Sequence, residues 1–494
     1  MNDFILAIDQ GSTGTKVLCV DKKGKIIEST YQKIKSYYPK EGWVEHDAED
    51  IWDSVETCLR NLSEKIDFSK IAALGITNQR ESTLLWNRKT GEPIGPVVSW
   101  QCHRSEDICS EWKKAGLESV VRERTGLNID GYYSASKIKW LLNRFPDTKE
   151  LIHKDELCFG NINTWLIWKL TSKKEFKTDY SNAARTLLFN IKDLKWDEYL
   201  GKLFDIPLEI FPEPVECDGY FGEAVYPEEV FKKKIPILAS LGDQQSSLFG
   251  QNCFDNKTVK CSFGTCLNLG FFTGSEIQFG LKGIIPTIAW SYKGKINYAV
   301  EGGVYVAGSM LDWLMEKLNL SDNIDELTEF AKEVKIENLY LVPAFVGLAA
   351  PYWDPKARAL LIGLTFNHDK RHIVRAAFES IAFQTNDVLE EERRMINSDL
   401  VIRVDGGMTK NDFLMQILSD YTNCKIERPV NQECTSLGVA YLAGLSHGLW
   451  KDLNEIKKLW VVDKTFYPKL DKEERNKTIN KWKKAVLKSL SWIE

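Results

Sequence analysis

The sequence contains no Cys-x-x-Cys pair, although it has 11 cysteines. An odd number of scattered cysteines favours neither a disulfide framework nor a structural zinc site, and is typical of reduced thiols in the cytoplasm. Cys102, His103 and Cys109 lie close together in sequence, but their spacing matches no tetrahedral zinc pattern. We therefore expect the cysteines to be free.

Long hydrophobic runs and an excess of positive charge are also missing. No apolar run approaches the roughly 18 residues that span a bilayer, and the run 4–8 stops at Asp9, too early for a signal peptide. The formal net charge of −5 gives no electrostatic basis for binding nucleic acid. We expect no transmembrane segment, no nucleic-acid partner, and a location in the cytoplasm or against the surface of an organelle.

Both common nucleotide motifs are absent. A P-loop needs Gly-x-x-x-x-Gly-Lys-Ser/Thr and a Rossmann fingerprint needs Gly-x-Gly-x-x-Gly, and neither spacing occurs in the chain. What is present is a chain of 494 residues with 43% hydrophobic content, in which short β-branched runs alternate with longer helical patterns. This predicts an α/β protein with sheets covered by helices, divided into two or more domains of about 100–200 residues or longer.

Two β-hairpins with glycine-rich turns stand out. The first has strands at 4–10 and 16–21 around the turn 11–15, and the second has strands at 257–263 and 266–272 around Gly264-Thr265. Such turns let backbone amides approach a phosphate, although an ordinary polar turn explains the first hairpin equally well. The repetition predicts two similar domains, 1–250 and 251–494, that close on one nucleotide, with Asp9 facing the bound metal.

An arginine and a glutamate follow an apolar strand pattern at 71–76. Arg80 offers a planar fork of donors and Glu81 offers acceptors, so together they suit neighbouring hydroxyls of a small polyol. The alternative is an exposed ion pair, which usually contributes less than about 1 kcal/mol. The pair is thus a candidate binding site for a polyol.

Asp243 follows another buried strand pattern, at 235–241. At the carboxyl end of a strand it could be the general base of a phosphoryl transfer, or it could N-cap the helix that follows. A third strand, 401–405, ends in Asp405-Gly406-Gly407, where paired glycines allow a flat base or ribose to approach the backbone. A plain strand-to-helix turn explains these glycines almost as well.

These segments resemble the glycerol kinases, which belong to the sugar and polyol kinase family with the actin-like, ribonuclease H-like ATPase fold. The resemblance runs over nearly the whole chain. Its motifs are Asp9-Gln10-Gly11, Gly-Trp-Val-Glu-His-Asp at 42–47, Thr-Asn-Gln-Arg-Glu at 77–81, Gly-Asp-Gln-Gln at 242–245 and Ala-Ala-Pro-Tyr-Trp-Asp at 349–354. It implies two actin-like domains with mixed sheets flanked by helices and the active site in the cleft between them.

The resemblance also assigns the site. It implies transfer of the γ-phosphoryl of ATP to glycerol, with Asp243 as general base and Trp100 as an apolar wall, although Trp100 could equally fill the core. The implied polyol-binding residues are Arg80, Glu81, Trp100, Tyr132, Asp243 and Gln244. Those implied to contact ATP are Gly11, Ser12, Thr13, Lys16, Gly264, Thr265, Gly308, Asp312, Gly407 and Asn411, with Asp9 near Mg²⁺. A homodimer or homotetramer is implied as well.

Three positions depart from the family pattern. Cys266 replaces the second glycine of the second hairpin turn, and would cost about 1–3 kcal/mol of strain if that turn requires a positive φ. Asn268 replaces an aromatic residue of the polyol site, and Lys16 replaces an arginine, which loses the bidentate fork. The departures keep open a kinase for another polyol and a catalytically silent ATP-binding relative. Residues 451–494 are expected to form an amphipathic helix with many lysines, which either docks on a partner or presents a solvated face, and the solvated face is favoured.

Overall fold

The computed structural model describes residues 4–394 and 399–493, which form two mixed β-sheets with helices packed against their faces. The strands are β1 (Phe4–Gln10), β2 (Gly14–Asp21), β3 (Ile26–Lys33), β4 (Glu45–His46), β5 (Ile71–Asn78), β6 (Leu84–Asn87), β7 (Val97–Val98), β8 (Leu157–Gly160), β9 (Lys177–Asp179), β10 (Phe189–Asn190), β11 (Lys195–Trp196), β12 (Glu213–Val215), β13 (Glu223–Ala224), β14 (Ile235–Gly242), β15 (Thr258–Phe263), β16 (Leu267–Gly274), β17 (Ile285–Tyr292), β18 (Lys295–Val304), β19 (Tyr340–Val342), β20 (Leu360–Ile362), β21 (Val401–Asp405), β22 (Lys425–Pro429) and β23 (Val462–Phe466).

The helices lie between and around these strands. They are α1 (Ala48–Ser63), α2 (Glu106–Lys114), α3 (Glu118–Thr125), α4 (Ser134–Arg144), α5 (Asp147–His153), α6 (Ile162–Leu170), α7 (Tyr180–Ala183), α8 (Glu198–Phe204), α9 (Asp243–Gly250), α10 (Gly308–Glu316), α11 (Ile324–Glu333), α12 (Lys370–Arg393), α13 (Asp412–Thr422), α14 (Cys434–His447), α15 (Leu453–Lys457) and α16 (Lys472–Ser489). Short 3₁₀ turns occur at Phe68–Lys70, Leu208–Ile210 and Gly407–Lys410. Among the described residues, no helix combines the length and the apolar character needed to cross a membrane.

The first sheet has the strand order β13–β14–β5–β1–β2–β3. β1 and β2 are antiparallel, as the sequence predicts, while β1 runs parallel to β5 and β5 runs parallel to β14. Every residue of β5 is buried, because this central strand is covered on both faces. The carboxyl ends of β1, β5 and β14 therefore meet at one edge of the sheet, where α/β proteins place their functional groups.

The second sheet, ordered β17–β18–β16–β15–β21–β22–β23, repeats this arrangement. β15 and β16 form the predicted second hairpin, and β15 runs parallel to β21, as β1 does to β5. The turn of the hairpin spans 264–266. The predicted α/β class with mixed sheets flanked by helices is confirmed.

The expectation for residues 451–494 is wrong in part. A helix is present as α16, but β23 adds an edge strand to the second sheet by pairing antiparallel to β22. The side chains of β23 are mostly exposed and polar, so they carry no buried-strand pattern. α16 is not simply a solvated face either, because Trp482 and Val486 are fully buried in the core of the second sheet.

Two helices lie between the sheets and touch backbone to backbone. A Cβ atom on Gly438 of α14 would lie 1.8 Å from the carbonyl oxygen of Ser246 in α9, and one on Gly250 would lie 2.0 Å from that of Cys434. Only glycine permits such an approach. α14 also packs on β1, β5 and β14, so a helix from late in the chain covers the first sheet.

A buried carboxyl group joins α12 to the C-terminal helix. Asp387 Oδ2 accepts hydrogen bonds from Trp482 Nε1 at 2.8 Å and from the Tyr352 hydroxyl at 2.9 Å. Burial raises the pKa of Asp387 to about 7, and the two hydrogen bonds oppose this only in part.

We expect Asp387→Asn to stabilise the protein by on the order of 2 kcal/mol at neutral and higher pH. Between pH 3.8, the ordinary pKa of an aspartic acid, and about pH 7, the folded wild type keeps a proton on Asp387 that the unfolded chain has already released. The free energy of unfolding of the wild type therefore falls as the pH rises through this window. Asparagine does not titrate and keeps an acceptor oxygen. Urea unfolding across the window measures the difference, and parallel pH profiles for the two proteins would contradict the prediction.

Candidate active site

The two strand ends singled out in the sequence lie side by side. β5 and β14 are parallel neighbours with Gly242 opposite Asn78, so the residues after each strand share one edge of the sheet. Arg80 Nε consequently lies 3.3 Å from Asp243 Oδ1. The alternative of an exposed ion pair is wrong, because Arg80 and Glu81 are each only 2% exposed.

A cavity of about 170 Å³ opens at this edge. Trp100 lies in its wall and is not core filling: the indole Nε1 donates to Ser12 Oγ at 2.8 Å, and the ring meets Tyr132 edge to face with 5.5 Å between centroids. The cavity thus combines an aromatic wall with fixed polar groups, as small-molecule sites do. All six residues assigned to polyol binding line it: Arg80, Glu81, Trp100, Tyr132, Asp243 and Gln244.

Four charged side chains interlock in the wall of the cavity. Arg80 Nη1 lies 2.7 and 2.9 Å from the two carboxylate oxygens of Glu301. Arg185 Nε lies 2.8 Å from Glu81 Oε1, and Arg185 Nη1 lies 3.4 Å from Glu301 Oε2. Two positive and two negative charges therefore share one buried cluster, in which each charge has partners of opposite sign.

The pKa shifts in the cluster follow from this pairing. Burial alone would lower the pKa of Arg80, but Glu301 and Glu81 raise it well above its usual range. Burial would likewise raise the pKa of Glu301, whereas Arg80 and Arg185 lower it. These shifts keep Arg80 and Glu301 charged at neutral pH.

The sequence reasoning missed Arg185 and Glu301. Arg185 follows α7 without any distinctive local pattern. The sequence around Glu301 did carry a usable signal, because this lone charge follows the apolar run 298–300 and precedes a pair of glycines. A charge in a buried strand needs a partner, and here the partner is Arg80.

Asp243 does not cap its helix. Gly242 occupies the N-cap of α9, and Asp243 is the first helical residue, with its Oδ1 accepting from the amide of Gln244 at 2.7 Å. Burial raises the pKa of Asp243, Arg80 lowers it, and Glu81 raises it again. A carboxylate of raised pKa that faces a cavity has the character of a general base.

The turn of the second hairpin rests against the start of α10. The amide of Gly308 donates to the Gly264 carbonyl at 3.1 Å, and the amides of Ala307 and Ser309 donate to the Thr265 carbonyl. A Cβ atom on Gly308 would lie 2.6 Å from the Gly264 oxygen, so a larger residue would push the turn away. Three predicted nucleotide-binding residues, Gly264, Thr265 and Gly308, are thereby brought together.

The first hairpin places Gly11, Ser12 and Thr13 in its turn and Asp9 opposite Lys16. Two residues at the start of α14 also contact this hairpin, and sequence reasoning assigned no role to either of them. Ser436 Oγ donates to Asp9 Oδ2 at 2.7 Å, and Glu433 Oε2 pairs with Lys16 Nζ at 2.5 Å.

Asp9 fits a cation that arrives with a nucleotide. Burial raises its pKa to about 7, and the nearby charge of Asp243 adds to the rise. Within residues 4–394 and 399–493, no group of three or more His, Cys, Asp or Glu side chains forms a complete metal site. One or two carboxylates completed by phosphate oxygens is the arrangement that Mg²⁺ commonly uses.

The remaining predicted nucleotide residues lie on the second half. Asp312 is exposed on α10, and Gly407 is exposed just after Gly406, which has a φ of 96°. Asn411 uses both ends of its side chain within the protein: Oδ1 caps α13 at Leu414, and Nδ2 donates to Thr328 Oγ1 at 2.7 Å. The structure therefore gives Asn411 a clear structural role, and its contact with ATP stays a prediction.

Cys266 and Asn268 are accommodated without strain. Cys266 is not among the described residues with positive φ, so the expected backbone penalty does not arise. Asn268 Oδ1 accepts from the buried Lys260 Nζ at 3.3 Å, and Lys260 also donates to Gln244 Oε1. Lys260, which the sequence reasoning missed, thus holds two amide side chains of the cavity wall.

Comparison with known families agrees with this architecture. Family models described as the N-terminal and C-terminal domains of the FGGY family of carbohydrate kinases match residues 4–250 and 259–447. The chain belongs to the FGGY family of carbohydrate kinases. It therefore has the two-domain FGGY fold, with mixed sheets flanked by helices.

Relatives within the FGGY family are similar over their whole length. The glycerol kinase of Thermoanaerobacter pseudethanolicus is 44% identical over 498 residues, with 100% of both chains covered. The glycerol kinase of Clostridium botulinum (strain Hall) is 43% identical over 499 residues, again with full coverage of both. The crystal structure of Plasmodium falciparum glycerol kinase with ADP has a TM-score of 0.93 at 37% identity, covering 99% of this chain and 98% of that one.

We expect iodoacetamide to alkylate Cys266 at least about tenfold faster than the other cysteines, which are all buried. The side chain of Cys266 is exposed, but the protein around the thiol still removes part of its water and raises its pKa, so the reaction is best run at mildly alkaline pH. Mass spectrometry of the digested protein identifies the modified site, with Cys266→Ser as the control that removes the fast phase. Equal labelling of several cysteines would show that the second hairpin turn does not open into an accessible cleft.

Proposed function

We propose that this protein is an ATP-dependent glycerol kinase that forms sn-glycerol 3-phosphate and ADP. The observation that carries the proposal is the single cavity in which the donor–acceptor pair Arg80 and Glu81 meets the carboxylate Asp243. Relatives named glycerol kinase, 43–44% identical over the full chain, support the same substrate.

We assign glycerol binding to the polar groups and the aromatic wall of the cavity. Arg80 donates to hydroxyl oxygens, Glu81 accepts from hydroxyl hydrogens, and the Tyr132 hydroxyl can do either. Trp100 covers the carbon chain, and Gln244 completes the set. Each hydroxyl then finds both a donor and an acceptor, which discriminates against molecules that lack a hydroxyl at the same place.

Asp243 is assigned as the general base. It takes the proton from the terminal hydroxyl while that oxygen bonds to the γ-phosphorus and the bond from phosphorus to the ADP oxygen breaks. A base of this kind contributes about 10²–10⁴-fold to the rate. Most of the remaining acceleration comes from positioning and from neutralising charge on the transferring group.

The two hairpin turns are assigned to the phosphates of ATP. Backbone amides and hydroxyls of Ser12, Thr13 and Thr265 offer donors, and Lys16 adds a positive charge. Gly11 and Gly264 shape the turns, since their amides already donate to the Gly14 and Cys266 carbonyls. Gly308, Asp312, Gly407 and Asn411 complete the proposed nucleotide contacts. Asp9 would hold Mg²⁺ together with phosphate oxygens, and the ion when bound would neutralise developing negative charge.

The domain division near residue 250 belongs to the same proposal, with 1–250 carrying the polyol and 251–494 carrying most of the nucleotide. Closure of the cleft would exclude water, which otherwise competes with glycerol as phosphoryl acceptor. The 11 free cysteines support a reducing, cytoplasmic location.

A kinase for a different polyol is the second candidate, and one observation favours it. Asn268 lines the cavity and is held through its Oδ1 by Lys260, so its amide nitrogen adds a polar group that a longer polyol could use. A substrate panel in which glycerol gives the highest kcat/KM would remove this candidate. A catalytically silent relative would instead bind ATP without glycerol-dependent turnover.

We expect Asp243→Asn to lower kcat by about 10²–10⁴-fold while ATP still binds, because the amide cannot accept the hydroxyl proton. ADP release in the presence of Mg²⁺ and ATP, with and without glycerol, measures the loss. Asp322→Asn, on the surface away from the cavity, is the matched control. A loss of less than about tenfold would contradict the base role, and absence of glycerol-dependent turnover in the wild type would contradict the proposed function.

We also propose a homodimer or homotetramer, supported by an exposed apolar segment at the end of β20. Ile362, Leu364 and Phe366 are 39%, 53% and 109% exposed, so the segment presents alternate apolar side chains beside a strand edge. We expect the double variant Leu364→Ser/Phe366→Ser to become monomeric in size-exclusion chromatography with light scattering. Leu487→Ser, which alters an exposed leucine on α16, is the control, and an unchanged mass of the double variant would contradict this interface.

A further inference from the structure

Glu301 reaches the polyol cavity from the opposite sheet. It lies on β18 of the second sheet, where it pairs with Gly270 of β16 and Ile285 of β17. Its carboxylate nevertheless binds Arg80 and Arg185, which belong to the segments around the first sheet. The cavity wall is therefore assembled from both halves of the chain.

The hydrogen bonds of Arg80 leave one part of its guanidinium free. Nη1 donates to both oxygens of Glu301 and lies 3.2 Å from Gln245 Oε1, while Nε faces Asp243. Among the described residues, Nη2 donates none of the hydrogen bonds of Arg80. Because the guanidinium is planar, fixing Nη1 and Nε also fixes the direction of the Nη2 hydrogens.

We propose that Glu301 is a positioning residue for the polyol: it holds Arg80, and with it Arg185, in the orientation that binds the substrate. The inference rests on the proposed function, because it takes glycerol as the ligand of the cavity. It assigns no chemical step to Glu301, which acts through the two arginines.

Electrostatics explain why another side chain cannot take over this role. Arg80 and Arg185 are close enough for the charge of Arg80 to lower the pKa of Arg185, while Glu301 and Glu81 raise it. If Glu301 loses its charge, the two buried guanidinium groups keep only the buried Glu81, which they share, and the more exposed Asp243, which contacts Arg80 alone. Removing one partner from a buried ion cluster is costly, so both arginines would shift toward water or toward these two carboxylates.

The pairing of β18 with β16 extends this argument to the nucleotide side. Register pairs run from Glu301–Gly270 to Val304–Leu267, immediately beside the turn 264–266 that we assign to phosphate. One rigid strand pair thus carries both Glu301 and the phosphate turn. Movement of the second sheet away from the first would separate Glu301 from Arg80, so the polyol site is complete only when the two sheets are together.

The test compares Glu301→Gln and Glu301→Asp with the wild type. We expect Glu301→Gln to raise the KM and the calorimetric Kd for glycerol by at least about tenfold, with a smaller change in kcat at saturating glycerol and little change in the KM for ATP. Glu301→Asp keeps the charge and should recover part of the glycerol affinity. Glu427→Gln is the matched control, because Glu427 is a buried, ion-paired glutamate of the same sheet that lies outside the cavity.

A double-mutant cycle with Arg185→Gln separates positioning from general destabilisation. If Glu301 acts through the arginines, the effects of Glu301→Gln and Arg185→Gln on the glycerol Kd are non-additive. Additive effects, an unchanged glycerol KM in Glu301→Gln, or equal losses in glycerol and ATP affinity would each overturn the inference. If Glu301→Gln does not fold, Glu301→Asp replaces it, both alone and in a double-mutant cycle with Arg185→Gln. Additive effects of Glu301→Asp and Arg185→Gln on the glycerol Kd would then overturn the inference.

The outcome for the wild type distinguishes this inference from the proposed function. A wild type that shows no glycerol-dependent ADP release refutes the function itself. If the wild type phosphorylates glycerol and Glu301→Gln has the same KM for glycerol, only the positioning role of Glu301 is refuted.

Discussion

Arg80, Arg185, Glu81 and Glu301 are buried together where the end of β5 meets β18. None of the four could be buried alone, because an isolated ion in a protein interior costs several kcal/mol. Their mutual pairing fixes the end of β5, the segment after α7 and the second sheet relative to one another. The cavity, its aromatic wall and the approach of Asp243 all depend on that arrangement, since Arg80 belongs to the cluster and also contacts Asp243.

Repetition of one simple unit explains the rest of the architecture. Each sheet contains an antiparallel hairpin beside a parallel strand, and each hairpin turn is a candidate for holding phosphate. Where the second turn meets α10, the contact is close enough that only glycine fits at position 308. The FGGY fold of this chain thus repeats one hairpin unit in two sheets, and the sequence contains neither of the common nucleotide-binding motifs.

The sequence predicted the features that are local. Both hairpins and the strands at 71–76 and 235–241 have apolar patterns of their own, and the structure contains them. The ion cluster could not be predicted, because its partners are 104 and 221 residues apart in the chain. β23 was missed because an exposed edge strand carries polar side chains, and the strain expected at Cys266 depended on a φ value that the sequence does not reveal. The residues themselves suggested polyol binding for Arg80 and Glu81 and a base role for Asp243, the resemblance supplied the other roles, and all of them remain predictions.

The path of α14 has a consequence for how the chain acquires its fold during synthesis. Ala7, Ala73 and Leu241 form an apolar face of the first sheet, and the side chains of α14 cover it. The backbone contact of Gly438 with α9 is so close that no larger residue fits at position 438. When the first 250 residues have left the ribosome, one apolar face of the first sheet is therefore uncovered. It stays exposed to solvent until residues 434–447 emerge and pack on it.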